Sequence, residues 1–409
     1  MKTANLFLYL LLLATQIVII YAVIYMGGIA YGGIATGLES GGAIVMNAAF
    51  IAVCWAVILL NYNSITTGMG GIAKVMAVFY GYILFASVFS FTEGGMRAVR
   101  ALVAPMYPFG AFFAYYALAK SGLIGEKTIL LGQNIILLSA IALFGSIYQY
   151  LSLTASGYVN VYFIFFPMMW CMLFRSRLLQ LVIFFAVGIV AVYTNKRGVM
   201  LAFGATVLIF YAVKNFFIEK KFRLLFFLAM PFVLAVIGYT LYNVSGGIDS
   251  SLYTRFSNIS VDGGSGRSYI WSAIIDAYFE NPVLWQIFGS GYYGVINLMR
   301  GAVVGAHNDY LEALYNYGIV GFGSIIAMFV LLLKKSVSLI SKKSFYAPAL
   351  CGMFGAYIVL TNISIVYFIL YYSMLLFGFM GYLAGKIDLE ESSDLRSRNA
   401  FYPNQNIRW

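Results

Sequence analysis

Residues 6–25 read LFLYLLLLATQIVIIYAVIY, an apolar run without a single charged side chain. A helix needs about 20 residues of this kind to cross the hydrocarbon core of a membrane, where backbone groups find partners only within the helix itself. The run is too long for the apolar part of a cleaved signal peptide, and no convincing small-residue cleavage site follows it. We therefore predict that it is a retained first membrane-spanning helix.

The rest of the chain has the same character. Of its 409 residues, 62% are hydrophobic and only 10% are charged, which leaves too little polar surface for a water-soluble protein of this size. Twelve apolar windows predict membrane-spanning helices, at residues 5–25, 42–62, 71–91, 101–119, 128–151, 157–174, 178–194, 198–217, 222–243, 315–333, 345–363 and 365–385. The predicted fold class is an all-α polytopic membrane protein with about twelve transmembrane helices. Pro105, Pro108 and Gly110 interrupt the fourth window and predict a kinked or broken helix there.

The windows divide the chain into four parts. Residues 1–243 hold helices one to nine, residues 244–305 form one large loop, residues 306–385 hold helices ten to twelve, and residues 386–409 form a tail without an apolar pattern. Within the loop, Ser268–Glu280 has apolar side chains at helical spacing and is followed by Asn281-Pro282, which predicts a short amphipathic helix. A second helix is expected to begin at Asn308 and to run into the next span.

The basic residues are distributed unequally between the two sides of the predicted bundle. With the N-terminus placed in the cytoplasm, 18 of the 25 lysines and arginines face the cytoplasm. The seven on the outer side are Arg97, Arg100, Lys196, Arg197, Arg255, Arg267 and Arg300. This asymmetry follows the positive-inside rule and predicts that both termini are cytoplasmic. The net charge of +11 is thereby explained by topology, so no nucleic-acid partner is expected.

Six of those seven outward residues are arginines, and a guanidinium grips phosphate with a planar fork of donors. An anionic ligand on the outer side is therefore one interpretation. The alternative is that each arginine anchors the end of a span. His307, the only histidine in the chain, lies at the end of the same loop and is a candidate for proton transfer. From position alone, a hydrogen-bonded histidine at the membrane interface is an equally good interpretation.

Carboxylates accompany these residues in two pairs, Asp276 with Glu280 and Asp309 with Glu312, each spaced to share one face of a helix. A solvated polar face explains such pairs, whereas a carboxylate beside His307 could orient its imidazole.

The sequence lacks the motifs of several other kinds of chemistry. Ser268 lies in no nucleophile elbow, the chain has no metal-ligand cluster, and its glycine-rich stretch follows no predicted strand. No metal and no cofactor are expected.

Four motifs occur in one order along the second half of the chain. They are Lys196-Arg197-Gly198, Gly266-Arg267 followed by Trp271, Gly289-Ser290-Gly291-Tyr292, and His307-Asn308-Asp309-Tyr310-Leu311-Glu312 ending in Gly318-Ile319-Val320-Gly321. This combination resembles the bacterial O-antigen polymerase and O-antigen ligase superfamily. The first half of the chain resembles that superfamily only in hydropathy and in its number of spans.

The resemblance implies a glycosyltransferase with a GT-C-type membrane fold in the bacterial inner membrane. Its active site would lie on the periplasmic side, in and beside the large loop, and would use undecaprenyl-diphosphate-linked glycans among the membrane lipids. Arg197 and Arg267 would hold the donor diphosphate, and His307 would assist attack by the acceptor hydroxyl. Asp309, Tyr310 and Glu312 would support that histidine. The resemblance also implies a chain-length regulator as a partner.

Three functions fit these expectations. A polymerase would join two lipid-linked glycans and so require a second anion site, for which the candidates are Arg97, Arg100, Arg255 and Arg300. A ligase would transfer the glycan to lipid A core and share the same motifs. A flippase for lipid-linked oligosaccharides belongs to another class and requires charges along a path through the bundle. The predicted spans carry almost no charge away from their ends, which disfavours a flippase. The additional outward arginines suit a second diphosphate, so a polymerase is the first hypothesis.

Overall fold

A computed structural model describes residues 1–29, 41–89, 95–148, 161–193, 197–219, 267–299, 305–364 and 370–401. All regular elements in these ranges are helical. The α-helices are α1 (Lys2–Ile29), α2 (Gly41–Leu60), α3 (Tyr62–Thr66), α4 (Gly71–Phe89), α5 (Gly95–Ser121), α6 (Glu126–Tyr148), α7 (Tyr162–Met168), α8 (Arg177–Tyr193), α9 (Arg197–Ala212), α10 (Arg267–Glu280), α11 (Val283–Phe288), α12 (Gly294–Leu298), α13 (Asp309–Ser341), α14 (Ala347–Ile363) and α15 (Leu370–Phe401). A 3-10 helix, Met169–Leu173, continues α7, and a π-helix, Val213–Ile218, continues α9.

Five helical segments among the described residues are long and apolar enough to cross a membrane. They are Lys2–Ile24, Ala101–Ser121, Glu126–Gly145, Gly198–Ile218 and Asp309–Ser341. Five shorter apolar helices lie at Val45–Leu60, Gly71–Ser87, Tyr162–Leu173, Arg177–Ala191 and Ala347–Ile363. The prediction of a helical membrane protein is confirmed by these segments. The total of twelve spans and the GT-C fold stay predictions, and the ninth predicted span, 222–243, lies outside the described residues.

Helix α5 continues through both of its prolines, Pro105 and Pro108, so a break there is wrong, whereas the alternative of a kink stays a prediction. A proline removes one hydrogen bond of the helix, and neighbouring helices can compensate inside a bundle. In agreement, α5 is the most deeply buried of the five candidate spans. Its main partner is α15, where a Cβ added to Gly381 would overlap the carbonyl oxygen of Phe112. The missing side chain lets the two backbones approach closely, as small residues do between membrane helices.

One end of the bundle is held by charged and polar side chains, and α15 supplies most of the acids. Lys335 and Lys342 on α13 donate to Glu391 at 2.6 and 2.9 Å. Partial burial acts to raise the pKa of Glu391, but the bonds from the two lysines outweigh it and leave that pKa below its usual value. Lys386 lies 3.7 Å from Glu126 on α6. Residues 386–391, which lack an apolar pattern, are therefore attached to the bundle through these contacts, and the helix that carries them extends to Phe401.

The other end of α13 is covered by the short helices α10, α11 and α12. Helix α10 begins one residue before its predicted start and ends at the predicted residue, Glu280. Ile274 and Tyr278 of α10 form a small separate core with Val295, Ala306 and Tyr315. This core fixes α10 and α12 against the first turns of α13, which is where the His-Asn-Asp motif lies.

Candidate functional site

The backbone at His307 is fixed by two hydrogen bonds to the preceding residue, Ala306. The N–H of Ala306 donates to Glu312 Oε2 at 2.7 Å, and the carbonyl of Ala306 accepts from Trp271 Nε1 at 2.8 Å. His307 itself has a φ of 50°, in the left-handed region. Few residues other than glycine adopt that region, but Asn, Asp and His do so more often than most. The two bonds at Ala306 therefore set the backbone that carries the imidazole.

Asn308 follows as the N-cap of α13. Its Oδ1 accepts from the backbone N–H groups of Tyr310 and Leu311 at 3.0 and 3.1 Å. An asparagine in this position satisfies donors that the first turn of a helix leaves free. Its Nδ2 donates to the carbonyl of Asn362 at 3.3 Å. Through Asn308, the motif is joined to the last turn of α14.

Asp309 and Glu312 are both buried, with 0% and 4% of their surfaces exposed. Glu312 accepts from Ala306 through one oxygen and from Asn316 Nδ2, at 3.2 Å, through the other. The interpretation of this pair as a solvated polar face is therefore wrong. It is right for Asp276 and Glu280, which are exposed on α10. Burial of a carboxylate is unfavourable unless donors satisfy it, so Glu312 depends on these bonds.

Helix α13 is interrupted at Gly318, whose φ of 64° and ψ of −163° are non-helical. A Cβ at Gly318 would overlap the carbonyl oxygen of Ile287 and lie 2.7 Å from that of Gln286. The turn of residues 289–292 fits against this break, where Ser290 Oγ donates to the carbonyl of Tyr315 at 2.9 Å. Asn316 binds the same turn, since its Nδ2 donates to the carbonyl of Tyr292 at 3.1 Å. Two of the four motifs are thus in direct contact.

Tyr162, at the start of α7, brings the remaining motifs together. Its side chain is 3% exposed, and its hydroxyl donates to Ser364 Oγ at 3.4 Å. A Cβ built on Gly198, the second residue of α9, would lie 3.5 Å from that hydroxyl. The same hydroxyl is within electrostatic range of both Arg267 and Asp309. Gly198 of α9, Arg267 of α10 and Asp309 of α13 therefore all lie near Tyr162.

This arrangement has an electrostatic consequence. Arg197 precedes Gly198 in α9, and Arg267 lies in α10, so two arginine positions lie near Tyr162. Arginine binds phosphate through a planar fork of donors. The buried carboxylate of Asp309 lies in the same region and opposes an anion, so the arginines are the groups that favour one.

The family comparison falls on this region of the chain. Residues 181–326 match the O-antigen ligase family. These residues are similar to an O-antigen ligase-like domain, so the resemblance to the O-antigen polymerase and ligase superfamily is confirmed for this part of the chain. A search of curated proteins finds no match to the chain. The family match supports a polymerase or a ligase of O antigen and gives no support to a flippase.

The O-antigen ligase-like domain contains six of the predicted site residues that the structure describes at least in their backbone: Arg197, Arg267, His307, Asp309, Tyr310 and Glu312. Tyr310 is half-buried, and its hydroxyl accepts a long bond of 3.5 Å from Thr361 Oγ1. Arg97 and Arg100 lie outside the domain, in the first two turns of α5. Arg255 and Arg300 lie outside the described residues. Across the described ranges, no three His, Cys, Asp or Glu side chains group as a metal site would require.

Two residues beyond the O-antigen ligase-like domain complete the site and were missed by sequence reasoning. Tyr162 is one of 33 tyrosines, and no motif distinguishes it from those that fill the bundle. Ser364 is an isolated serine after α14. Only the tertiary arrangement reveals them, because the helices that carry them are distant from α9, α10 and α13 along the chain.

Proposed function

We propose that this protein is a glycosyltransferase that moves a glycan from a polyprenyl-diphosphate carrier to a sugar hydroxyl on the outer face of the bacterial inner membrane. The proposal is carried by one observation: Arg267 lies near Tyr162, together with Gly198, which follows Arg197, and with Asp309, which is two residues after His307. A lipid diphosphate is an anion of the kind that such arginines bind.

In the proposed reaction, the bond between the sugar C1 and the diphosphate breaks as C1 bonds to the acceptor oxygen. Negative charge develops on the departing diphosphate. Guanidiniums fixed beforehand stabilise that charge without reorganising, so Arg197 and Arg267 act on the leaving group. The free energy comes from the donor itself, and no nucleotide is consumed outside the cell.

The proton of the acceptor hydroxyl goes to the imidazole of His307. A sugar hydroxyl is a weak nucleophile, and a positioned base accelerates such attacks by about a hundredfold or more. The bonds that Trp271 and Glu312 make to Ala306 hold the preceding peptide unit, so they position His307 without touching substrate. Glu312 is thus a positioning residue, and Asn308 joins this unit to α14.

Turnover of synthetic lipid-linked repeat units by the purified protein tests the proposal. His307→Ala should lower the rate at least about a hundredfold while the donor still binds. Arg267→Lys keeps the charge but removes the planar fork, and it should weaken donor binding. Exposed Asp276→Asn on α10 is the matched control and should behave as the wild type. Unchanged turnover in His307→Ala would remove the base role.

The acceptor of the glycan decides between a polymerase, which uses another lipid-linked repeat unit, and a ligase, which uses lipid A core. A polymerase is favoured by Arg97 and Arg100, which lie three residues apart near the start of α5, on the predicted outer side, and could bind a second diphosphate. A ligase is favoured by the description of the matching family. Supplying lipid-linked repeat units alone or together with lipid A core distinguishes them, because only a polymerase makes polymer without the core. Arg97→Ala and Arg100→Ala should shorten that polymer, whereas wild-type length in both would exclude the pair.

A further inference from the structure

A cavity of about 240 Å³ lies between α4, α13 and α15, far from the residues of the candidate site. Lys334 is 16 residues beyond Gly318 along α13, which places the cavity roughly 24 Å farther along the helix. Ile72, Leu331 and Ile387 supply apolar walls, and the polar lining consists of Lys334, Lys335, Ser338 and the acid Asp388. The proposed reaction uses none of these residues.

The charges around the cavity are not balanced. Lys335 is paired with Glu391, and the carboxylate of Asp388 accepts from the Tyr116 hydroxyl at 2.7 Å and from the Gly70 N–H at 2.9 Å. Lys334 forms no ion pair with any residue in the part of the chain that the structure describes. Its exposed ammonium group therefore supplies a positive charge that an anion could neutralise.

The same turn of α13 carries exposed apolar side chains. Leu333 and Val337 are 47% and 57% exposed, and Val330, one turn earlier, is 52% exposed. On a candidate membrane span, apolar side chains exposed in this way favour contact with acyl chains over contact with water. Lys334 follows Leu333 directly, so the polar side of the cavity adjoins this apolar surface. A ligand with an anionic head and an apolar body fits both features.

We propose that this cavity binds the head group of an anionic phospholipid, with its phosphate on Lys334 and its glycerol region against Ile72 and Leu331. The charge distribution of the chain predicts that this end of α13 is cytoplasmic. Basic pockets between helices on that side bind anionic lipid head groups, and each lysine near the surface contributes about fivefold in affinity.

Native mass spectrometry of the purified full-length protein with added phosphatidylglycerol or phosphatidylcholine tests the proposal. The wild type should retain phosphatidylglycerol preferentially. Lys334→Gln should weaken that retention about fivefold, since it removes the charge that no acid neutralises. Lys127→Gln is the matched control, because Lys127 is exposed on the same predicted side and does not line the cavity. It should bind as the wild type does.

Equal retention of the two lipids, or equal binding by Lys334→Gln and the wild type, would overturn the proposal. A third measurement adds inorganic phosphate as competitor. Phosphate should displace the lipid only when it is present in large excess, because phosphate makes none of the apolar contacts. Phosphate binding as tight as that of the lipid would show a site for free phosphate and would also overturn it.

Discussion

Gly318 allows a sharp test of how the site is assembled. Its backbone conformation, with φ of 64° and ψ of −163°, is essentially restricted to glycine, and a residue with a side chain there costs about 1–3 kcal/mol. Gly318→Ala would also drive its Cβ into the carbonyl groups of Ile287 and Gln286. Both obstacles are backbone atoms, so relief requires movement of the chain, and overpacking of this kind costs about 1–3 kcal/mol more. The expected loss of stability is therefore about 2–6 kcal/mol.

Gly323→Ala provides the matched control five residues later in the same helix. No atom lies within 4 Å of a Cβ built there, and alanine in a helix interior is favoured over glycine by about 0.5–1 kcal/mol. Thermal unfolding of both variants in detergent, followed by circular dichroism, measures the difference. Gly318→Ala should lower the midpoint markedly and Gly323→Ala should hold or raise it. Equal midpoints for Gly318→Ala and the wild type would refute the inferred contact between the break in α13 and α11.

Three further predictions concern single side chains. Trp271→Phe removes one donor to the carbonyl that precedes His307, and a net bond of about 0.5–1.5 kcal/mol predicts a two- to tenfold loss of turnover with little change in the Michaelis constant for donor. Tyr162→Phe removes the hydroxyl that donates to Ser364 and should lower turnover by a similar factor. Tyr372, whose ring stacks on that of Tyr162 at 5.1 Å, provides the control, and Tyr372→Phe should leave turnover unchanged. Equal effects of the two changes would make both roles structural. The pKa of Glu391 is depressed in the folded protein, so its contribution to stability is present above about 4.5 and disappears as the pH falls below that value. Glu391→Gln should reduce the fall in thermal midpoint on acidification, and an unchanged fall would contradict the pairing with its two lysines.

Local patterns predicted several elements closely. Asn281-Pro282 ends α10 where expected, because proline cannot extend a helix and restricts the residue before it. The predicted helix beginning at Asn308 is also present, since an asparagine cap is a local signal. Only one non-helical residue, Gly318, separates the helix that begins after Asn308 from the membrane-spanning part of α13 that follows it.

Other features depend on contacts between distant parts of the chain. Residues 386–401 have no apolar pattern, yet acids on α15 meet lysines of α13, a pairing that hydropathy does not reveal. The burial of Glu312 was also hidden, because the spacing of Asp309 and Glu312 is the same on a buried face as on a solvated one. Tyr162 joins the site only through tertiary packing, so no one-dimensional signal could identify it.

The interruption at Gly318 also means that the parts of α13 before and after it do not share one continuous helical rotation. In an uninterrupted α-helix, each inserted residue turns everything beyond it by about 100°. Such an insertion within residues 319–341 would rotate the lipid-facing surface relative to the break. The segment that carries Asp309 and Glu312 is anchored instead by Ala306, Asn316 and the turn at Ser290. The acidic pair therefore keeps its orientation whatever the rotational position of the membrane-crossing part.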